Sequence, residues 1–129
     1  MKKLLLILTL LVSTVMFSSP SYAEWRKVQE HSMGSVYIDA KRIRKTGEYV
    51  YYWILGDYLK PMDGILSAKT YYQGDCKLLR YKNLSYSFHK EPMGGGVGDV
   101  QKPLKSSLDW KIPSPNTSNE LVLTVVCSR

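Results

Sequence analysis

Residue types that carry catalysis or bind metals are scarce in this chain of 129 residues. Histidine occurs only at His31 and His89, and cysteine only at Cys76 and Cys127. Neither histidine has a serine or aspartate at a spacing that indicates a catalytic triad, and both are expected to be exposed polar residues. No histidine lies near either cysteine, as a zinc site would need. The sequence therefore predicts a protein that is not an enzyme and has no cofactor or metal.

Long apolar runs are also scarce, and the single one lies at the N-terminus. Lys2 and Lys3 precede an apolar stretch from Leu4 to about Phe17, and the small residues of Ser21-Tyr22-Ala23 suit a signal peptidase. The run is shorter than the roughly 20 residues of a membrane helix, which disfavours the alternative of an uncleaved anchor. We predict a signal peptide over residues 1–23 and a single exported domain over 24–129, either periplasmic or secreted.

Export also predicts the state of the cysteines. Two thiols in an oxidising compartment usually pair, so Cys76 and Cys127 are expected to form a structural disulfide. In the loop-entropy model such a bridge stabilises the folded chain by about 4 kcal/mol. A redox-active pair is the alternative, but catalytic thiols normally occur as Cys-x-x-Cys, and these two cysteines lie far apart in the sequence.

The charge of the chain is positive, with a formal net value of +7. Removing Lys2 and Lys3 leaves 16 basic against 11 acidic residues, a net charge of +5. Export removes most nucleic-acid partners, which leaves anionic glycans, lipopolysaccharide or acidic patches on proteins. A charge that only keeps the protein soluble is the alternative. The candidate binding residues form two clusters: Lys41, Arg42, Arg44 and Lys45, then Lys77, Arg80 and Lys82.

Most of the exported domain has the pattern of short strands. These are predicted at Trp25–Gln29, Ser35–Asp39, Glu48–Tyr58, Leu66 towards Cys76, and Leu78–Phe88. The third is apolar on both faces and is expected to be a central strand. The regular spacing of these strands, with no long helical period between them, predicts an antiparallel meander.

Two later segments are less regular. Met93–Gly98 is rich in glycine and is expected to be a mobile surface loop, because neither a preceding parallel strand nor a following helix is apparent, as a nucleotide-binding loop would need. Thr117-Ser118-Asn119-Glu120 is typical of a capping box at the start of a helix. The β-branched residues of Leu121–Val126 favour a strand instead. From these residues alone, a helix and a strand both remain open.

A set of short motifs spans nearly the whole exported domain. In chain order they are Trp25, Val36-Tyr37-Ile38-Asp39, Arg44, the Val50–Tyr58 stretch with Trp53 and Asp57-Tyr58, Ser67-Ala68-Lys69, Asp75-Cys76, Met93-Gly94, Trp110, Ile112-Pro113 and Cys127. In this order they resemble the surface-adhesin protein E family of small exported bacterial proteins. The resemblance implies a mainly β fold of the α+β class, with about six antiparallel strands and a C-terminal helix tied to the concave face by the disulfide.

The same resemblance implies adhesion to host extracellular-matrix proteins and self-association as a dimer. The adhesin type is also a lipoprotein, but no cysteine stands near Ala23 to carry such an anchor. Two functions are therefore considered. The first is an adhesin-like binding module for host protein or anionic glycan. The second is a periplasmic structural or envelope-associated protein that docks a partner by adding a strand to its sheet edge.

Overall fold

The computed structural model describes residues 23–103 and 109–129, which form one antiparallel sheet covered on one side by a helix. The predicted signal peptide, apart from Ala23, lies outside the described residues. The strands are β1 (Trp25–His31), β2 (Gly34–Asp39), β3 (Arg44–Thr46), β4 (Tyr49–Met62), β5 (Ile65–Asp75), β6 (Arg80–His89) and β7 (Asp99–Gln101). The helix is α1 (Ser118–Cys127).

The order of strands in the sheet is β1-β2-β4-β5-β6-β7, and the short β3 pairs with β4. β4 pairs with β2 through its middle and with β3 through its start, while β5 lies along its other edge. The prediction of a central strand after Gly47 is therefore confirmed, as is the antiparallel meander. Among the described residues, no helix is long and apolar enough to cross a membrane.

The hairpin between β4 and β5 is longer than the sequence predicts, because the predicted strands end at Tyr58 and begin again at Leu66. Instead β4 continues through Pro61 to Met62. Its pairing with β5 is irregular between Asp57 and Met62, where a proline can be accommodated. The chain then reverses at Asp63 and Gly64, whose φ angles are 51° and 80°. Two consecutive positive φ angles at Asp-Gly are typical of a tight hairpin turn.

The hydrophobic core lies between the sheet and α1. Val122, Leu123 and Val126 of the helix are buried against four apolar residues of the central strands, namely Val36, Ile38, Val50 and Tyr52. Gly74 on β5 permits this close packing, because a Cβ atom there would lie 2.9 Å from a methyl carbon of Leu123. Burying the three helix residues stabilises the fold by several kcal/mol, at about 1.5–3 kcal/mol for each large side chain.

The last segment is a helix, which resolves the alternative left open by its sequence. The Thr117 hydroxyl accepts a hydrogen bond from the Glu120 backbone N–H at 3.4 Å, and the Glu120 carboxylate accepts one from the Asn116 N–H at 3.2 Å. Cys127, at the end of the helix, is bonded to Cys76 at the end of β5, with the two Cα atoms 5.5 Å apart. The cap, the buried face and the disulfide together outweigh the strand propensity of the β-branched residues.

Candidate binding face

The side of the sheet away from α1 carries rows of polar and aromatic side chains. Directly opposed residues of antiparallel strands project on the same face. One such row is Arg44, Tyr51, Gln73 and Lys82, which joins β3, β4, β5 and β6. Three strand spacings separate its ends, about 14 Å. The row therefore brings one residue from each predicted basic cluster onto the same face.

Aromatic rings hold the arginines of this face. The Arg44 Cζ atom lies 5.1 Å from the centroid of the Tyr51 ring, and the Arg42 Cζ atom lies 5.6 Å from the Trp53 ring. Tyr71 contacts Trp53 at 4.8 Å between centroids and stacks with Tyr51 at 6.3 Å. A cation over an aromatic ring contributes about 0.5–1 kcal/mol at an exposed site, so these contacts restrict the guanidinium groups.

Trp110 extends the arrangement at the far end of the face. Arg80 Cζ lies 4.5 Å from its ring centroid and Lys82 Nζ lies 4.6 Å away, while Tyr49 stacks on it at 5.7 Å. Two backbone hydrogen bonds between Tyr81 and Lys111 position this segment beside β6. Trp110 is not recognisable as a site residue from the sequence, because its contacts depend on a segment that follows β6 by many residues.

We call the set of these side chains the cationic–aromatic face. Its members are Arg42, Arg44, Tyr49, Tyr51, Trp53, Tyr71, Arg80, Lys82 and Trp110.

Two candidate lysines lie elsewhere. Lys45 is opposite Val50, whose side chain belongs to the core under α1, so Lys45 projects on the other side of the sheet from Arg44. Lys77 lies in the turn after β5, where its Nζ atom is 3.5 Å from a carboxylate oxygen of Glu48. Lys41 borders the face beside Arg42. The seven candidates therefore do not form one patch, although four of them belong to the cationic–aromatic face.

Buried aspartates orient two of the arginines. Asp39 accepts hydrogen bonds from the Glu24 N–H at 3.0 Å, the Lys41 N–H at 3.1 Å and Arg42 Nε at 2.5 Å. Burial alone would raise the pKa of Asp39, but these donors stabilise the carboxylate more strongly and lower its pKa below the usual value.

Asp75 is arranged in the same way at the other end of the face. It accepts hydrogen bonds from the Lys77 and Leu78 N–H groups, each at 3.1 Å, and from Arg80 Nε at 3.0 Å. Burial raises the pKa of Asp75, and these donors outweigh it and lower the pKa. Both arginines use Nε for their aspartate, so a second anion can bind at the terminal nitrogens without breaking the first contact.

A groove of two adjoining depressions crosses the face. The first, of about 300 Å³, is lined by Lys41, Arg42, Ile43, Arg44, Trp53 and Tyr71. The second, of about 250 Å³, shares Arg42 and Trp53 with the first and continues to Lys69, Ser87, His89 and the glycine-rich segment. We call the two depressions together the groove. One end of it is strongly cationic and the other offers a mixture of neutral and basic hydrogen-bonding groups.

His89 is buried, so the prediction of an exposed histidine at this position is wrong. Only 3% of its surface is exposed. Its Nε2 atom lies 2.8 Å from Ser87 Oγ, and its Nδ1 atom lies 3.1 Å from the Gly95 carbonyl oxygen. Ser87 stands two residues before His89 on the same strand, a spacing that places both side chains on one face. The other partner of His89 is the Gly95 carbonyl and not the carboxylate of a catalytic triad. The Ser87–His89 pair therefore holds the glycine-rich segment in place and does not form a triad.

The glycine-rich segment packs on the sheet instead of extending freely from it. The Gly94 N–H donates to Ser67 Oγ at 2.8 Å, and the Met93 N–H donates to Asp57 Oδ1 at 2.8 Å. A Cβ atom on Gly94 would lie 3.0 Å from Lys69 Cε. The glycines of this segment therefore allow close approach to the sheet, and the segment forms one wall of the groove.

Comparison with known proteins gives both a family and a fold. The model of the family described as "Surface-adhesin protein E" matches residues 25–128. Structures of protein E from Haemophilus influenzae superpose with a TM-score of 0.61 at 16% identity, covering 86% of this chain and 90% of that chain. A second crystal form gives 0.58 at 16% identity, covering 84% and 97%.

Protein E from non-typeable Haemophilus influenzae gives a TM-score of 0.58 at 17% identity, covering 84% of this chain and 80% of that chain. At such identities the likeness concerns the fold, and it confirms the predicted sheet with a C-terminal helix. No curated protein sequence matches the chain.

Proposed function

The chain belongs to the surface-adhesin protein E family, and on that premise we propose that it is an exported, adhesin-like protein that binds an anionic partner through the cationic–aromatic face. The partner is a host extracellular-matrix protein or another anionic surface. The family is one of surface adhesins and is not a class of enzymes. We therefore consider the face as a binding site and not as a catalytic site.

The observation that carries this proposal is the row from Arg44 to Lys82. It joins two basic segments, separated along the chain, on a single face of one sheet. Among the described residues, neither Arg44 nor Lys82 forms a salt bridge. Unneutralised cations on one side of a basic protein raise the local concentration of anions and accelerate their association.

The location of the protein is part of the proposal. A signal peptide over residues 1–23 would leave Glu24 as the first residue of a domain over 24–129, periplasmic or secreted, without a lipoprotein anchor. The Glu24 N–H already bonds to Asp39, and its carbonyl accepts from the Ala40 N–H at 2.8 Å. A free α-ammonium group at Glu24 would therefore form an ion pair with Asp39. Mass spectrometry of exported protein tests the cleavage, and retention of Leu4–Phe17 would contradict it.

Docking by strand addition has weaker support. β1 and the three-residue β7 are the edge strands of the described sheet. The pairing of β1 with β2 shifts register between Lys27 and Gln29. Arg26 and Lys27 also place charges along β1. Bulges and charged residues on an edge strand are features that discourage pairing with another chain. An interaction through the face is therefore the better explanation for binding.

The test removes two charges from the face and, in a matched variant, two charges from elsewhere. Arg44→Gln with Lys82→Gln changes both ends of the row. Lys45→Gln with Lys60→Gln removes the same charge from the opposite side of the sheet and from the tip of the β4–β5 hairpin. Binding to immobilised heparin and to an immobilised matrix protein is then measured over a range of salt concentrations.

We expect the face variant to bind at least about tenfold more weakly, because a hydrogen bond to a charged group contributes about 1.5–3 kcal/mol. The control variant should bind within about twofold of the wild type and have the same melting temperature. Wild-type binding should weaken as salt rises, since the screening length is about 8 Å at physiological strength. An equal loss in both variants, or binding that ignores salt, would contradict the proposal.

A further inference from the structure

We propose that the groove binds an acidic oligosaccharide, with an acidic group of one sugar at the end near Arg44 and the hydroxyl groups of the next sugar at the end near His89. This inference rests on the proposed function and names the class of ligand that the face takes. The inference depends on the second depression, because a ligand that bound only through its charge would not need the groups that line it.

The cationic end is suited to a planar or tetrahedral oxyanion. Lys41, Arg42 and Arg44 surround the first depression, and the two guanidinium groups are held over Trp53 and Tyr51. A guanidinium group offers paired N–H donors that match a carboxylate or a sulfate with two parallel hydrogen bonds. Because the rings restrict both arginines before a ligand arrives, less side-chain entropy is lost on binding.

The other end has chemistry that suits hydroxyl groups. Lys69, Ser87 and His89 line the second depression. Ser87 and His89 are 6% and 3% exposed and bond to each other, so their orientation is fixed by the fold. Both ring nitrogens of His89 are used within the protein, by Ser87 Oγ and by the Gly95 carbonyl oxygen. The Lys69 ammonium is therefore left to donate hydrogen bonds to a ligand and Ser87 Oγ to accept them. A sugar hydroxyl also does both, whereas a second carboxylate or sulfate would use only the donors.

Trp53 lies at the junction, because its side chain lines both depressions. Ligand sites are commonly lined by aromatic side chains with a few positioned polar groups around them. The ring carries partial negative charge on its faces and positive charge at its edge, so it attracts the C–H groups on the apolar side of a sugar. This position therefore suits the link between two sugar rings.

The placement of the groove argues against an acidic peptide. Peptides in extended form are usually bound by hydrogen bonds to the free backbone of a sheet edge. The groove instead crosses the interior of the sheet, where Trp53, Tyr71 and Ser85 are paired successively across β4, β5 and β6. Recognition there depends on side chains alone, and those side chains supply cations, hydroxyl-directed groups and an aromatic ring.

An anionic membrane surface would need only the cations. Attraction of basic segments to acidic lipids depends mainly on the number of lysines and arginines. Binding to such a membrane would depend equally on Arg44 and Lys82. It would not require Ser87, His89 or the apolar ring of Trp53. The groove therefore favours an oligosaccharide of at least two sugar rings over a membrane.

The experiment compares three probes at one fixed salt concentration. These are a heparin tetrasaccharide, a glutamate peptide of the same net charge, and phosphatidylglycerol vesicles. Their binding is measured for the wild type, Lys69→Gln, Arg44→Gln and the control Lys60→Gln, which removes one charge at the exposed hairpin tip. Trp53→Leu is a second variant of the groove, checked first for a native circular dichroism spectrum because Tyr71 packs on that ring.

We expect the wild type to bind the tetrasaccharide more tightly than the peptide or the vesicles. Lys69→Gln and Arg44→Gln should each weaken tetrasaccharide binding by about tenfold, the effect of losing one charge-assisted contact, while Lys60→Gln changes it by less than about twofold. If the peptide or the vesicles bind as tightly as the tetrasaccharide, or if Lys69→Gln behaves as Lys60→Gln, the oligosaccharide is excluded. In that case, binding that is weakened by Arg44→Gln but not by Lys69→Gln would leave the proposed function standing. If Arg44→Gln binds every probe as tightly as the wild type does, both the oligosaccharide proposal and the proposed function are overturned.

Discussion

Gly98 lies against the imidazole of His89, so closely that a Cβ atom on Gly98 would clash with His89 Cε1. His89 is in turn held between Ser87 and the carbonyl oxygen of Gly95. The glycine-rich segment, the histidine and the strand that carries it are therefore packed as one unit. This unit forms the wall of the groove next to β7.

Replacing Gly98 by alanine should destabilise the protein. The new methyl group would have to displace the buried ring, and overpacking of this kind costs about 1–3 kcal/mol. Gly56→Ala is a matched control, because its Cβ would meet only Tyr58 at an ordinary 3.9 Å, and it should leave stability unchanged or raise it by about 0.4–1 kcal/mol. Urea unfolding measures both. Equal stabilities for the two variants would contradict the packing described here.

Removing the disulfide should lower stability without changing the fold. The bridge between Cys76 and Cys127 joins the end of β5 to the end of α1. Replacing both cysteines by serine removes this cross-link and so raises the conformational entropy of the unfolded chain. We expect the free energy of unfolding to fall by about 2–4 kcal/mol, with the circular dichroism spectrum retained. Native protein that reacts with two equivalents of a thiol reagent without reductant would contradict the bridge.

Stability should fall in acid, partly through Asp39. Its hydrogen bonds with Arg42 and two backbone N–H groups lower its pKa in the folded protein despite its burial. The unfolded chain has the ordinary value of about 3.9, so in acid the unfolded state binds more protons. The stabilising contribution is therefore present above the unfolded pKa and is lost as pH falls through the lower folded value.

The variant Asp39→Asn tests this pH dependence. At neutral pH it should be less stable than the wild type, because Arg42 loses its ionised partner. The difference in unfolding free energy should shrink as pH is lowered from about 5 through the unfolded pKa of about 3.9 and on towards the lower folded value, because the wild-type carboxyl then takes up its own proton. Denaturant unfolding at a series of pH values measures the difference. A difference that stays constant over this range would show that the ionised carboxylate is not what stabilises the fold.

Local signals in the sequence were sufficient for five of the seven strands among the described residues, and they left the last segment open between helix and strand. The alternation of Val50, Tyr52 and Ile54 predicts a central strand, and Thr117 with Glu120 indicates the helix start, both because the information lies within a few residues. The short β3 was not predicted, since Arg44–Thr46 has no apolar alternation and is a strand only through its pairing with β4.

The candidate site was predictable only in part, because it depends on strand register. The sequence indicates that Arg44 and Lys82 belong to basic clusters, but their alignment arises from three successive pairings between separate segments. The burial of His89 and the position of Trp110 depend likewise on segments that return to the sheet. A one-residue change of register would move each of these side chains to the other face.

The central claim is that ligands bind on the face of the sheet opposite α1, and it can be tested without any substitution. A heparin tetrasaccharide is titrated into ¹⁵N-labelled protein while amide and indole N–H signals are followed by nuclear magnetic resonance. We predict shifts of the indole signals of Trp53 and Trp110 and of the Arg44 Nε–H signal, with little change at Val122 and Leu123 on the helix. Shifts centred on α1, or no shift of the Trp53 indole at saturating ligand, would contradict the account.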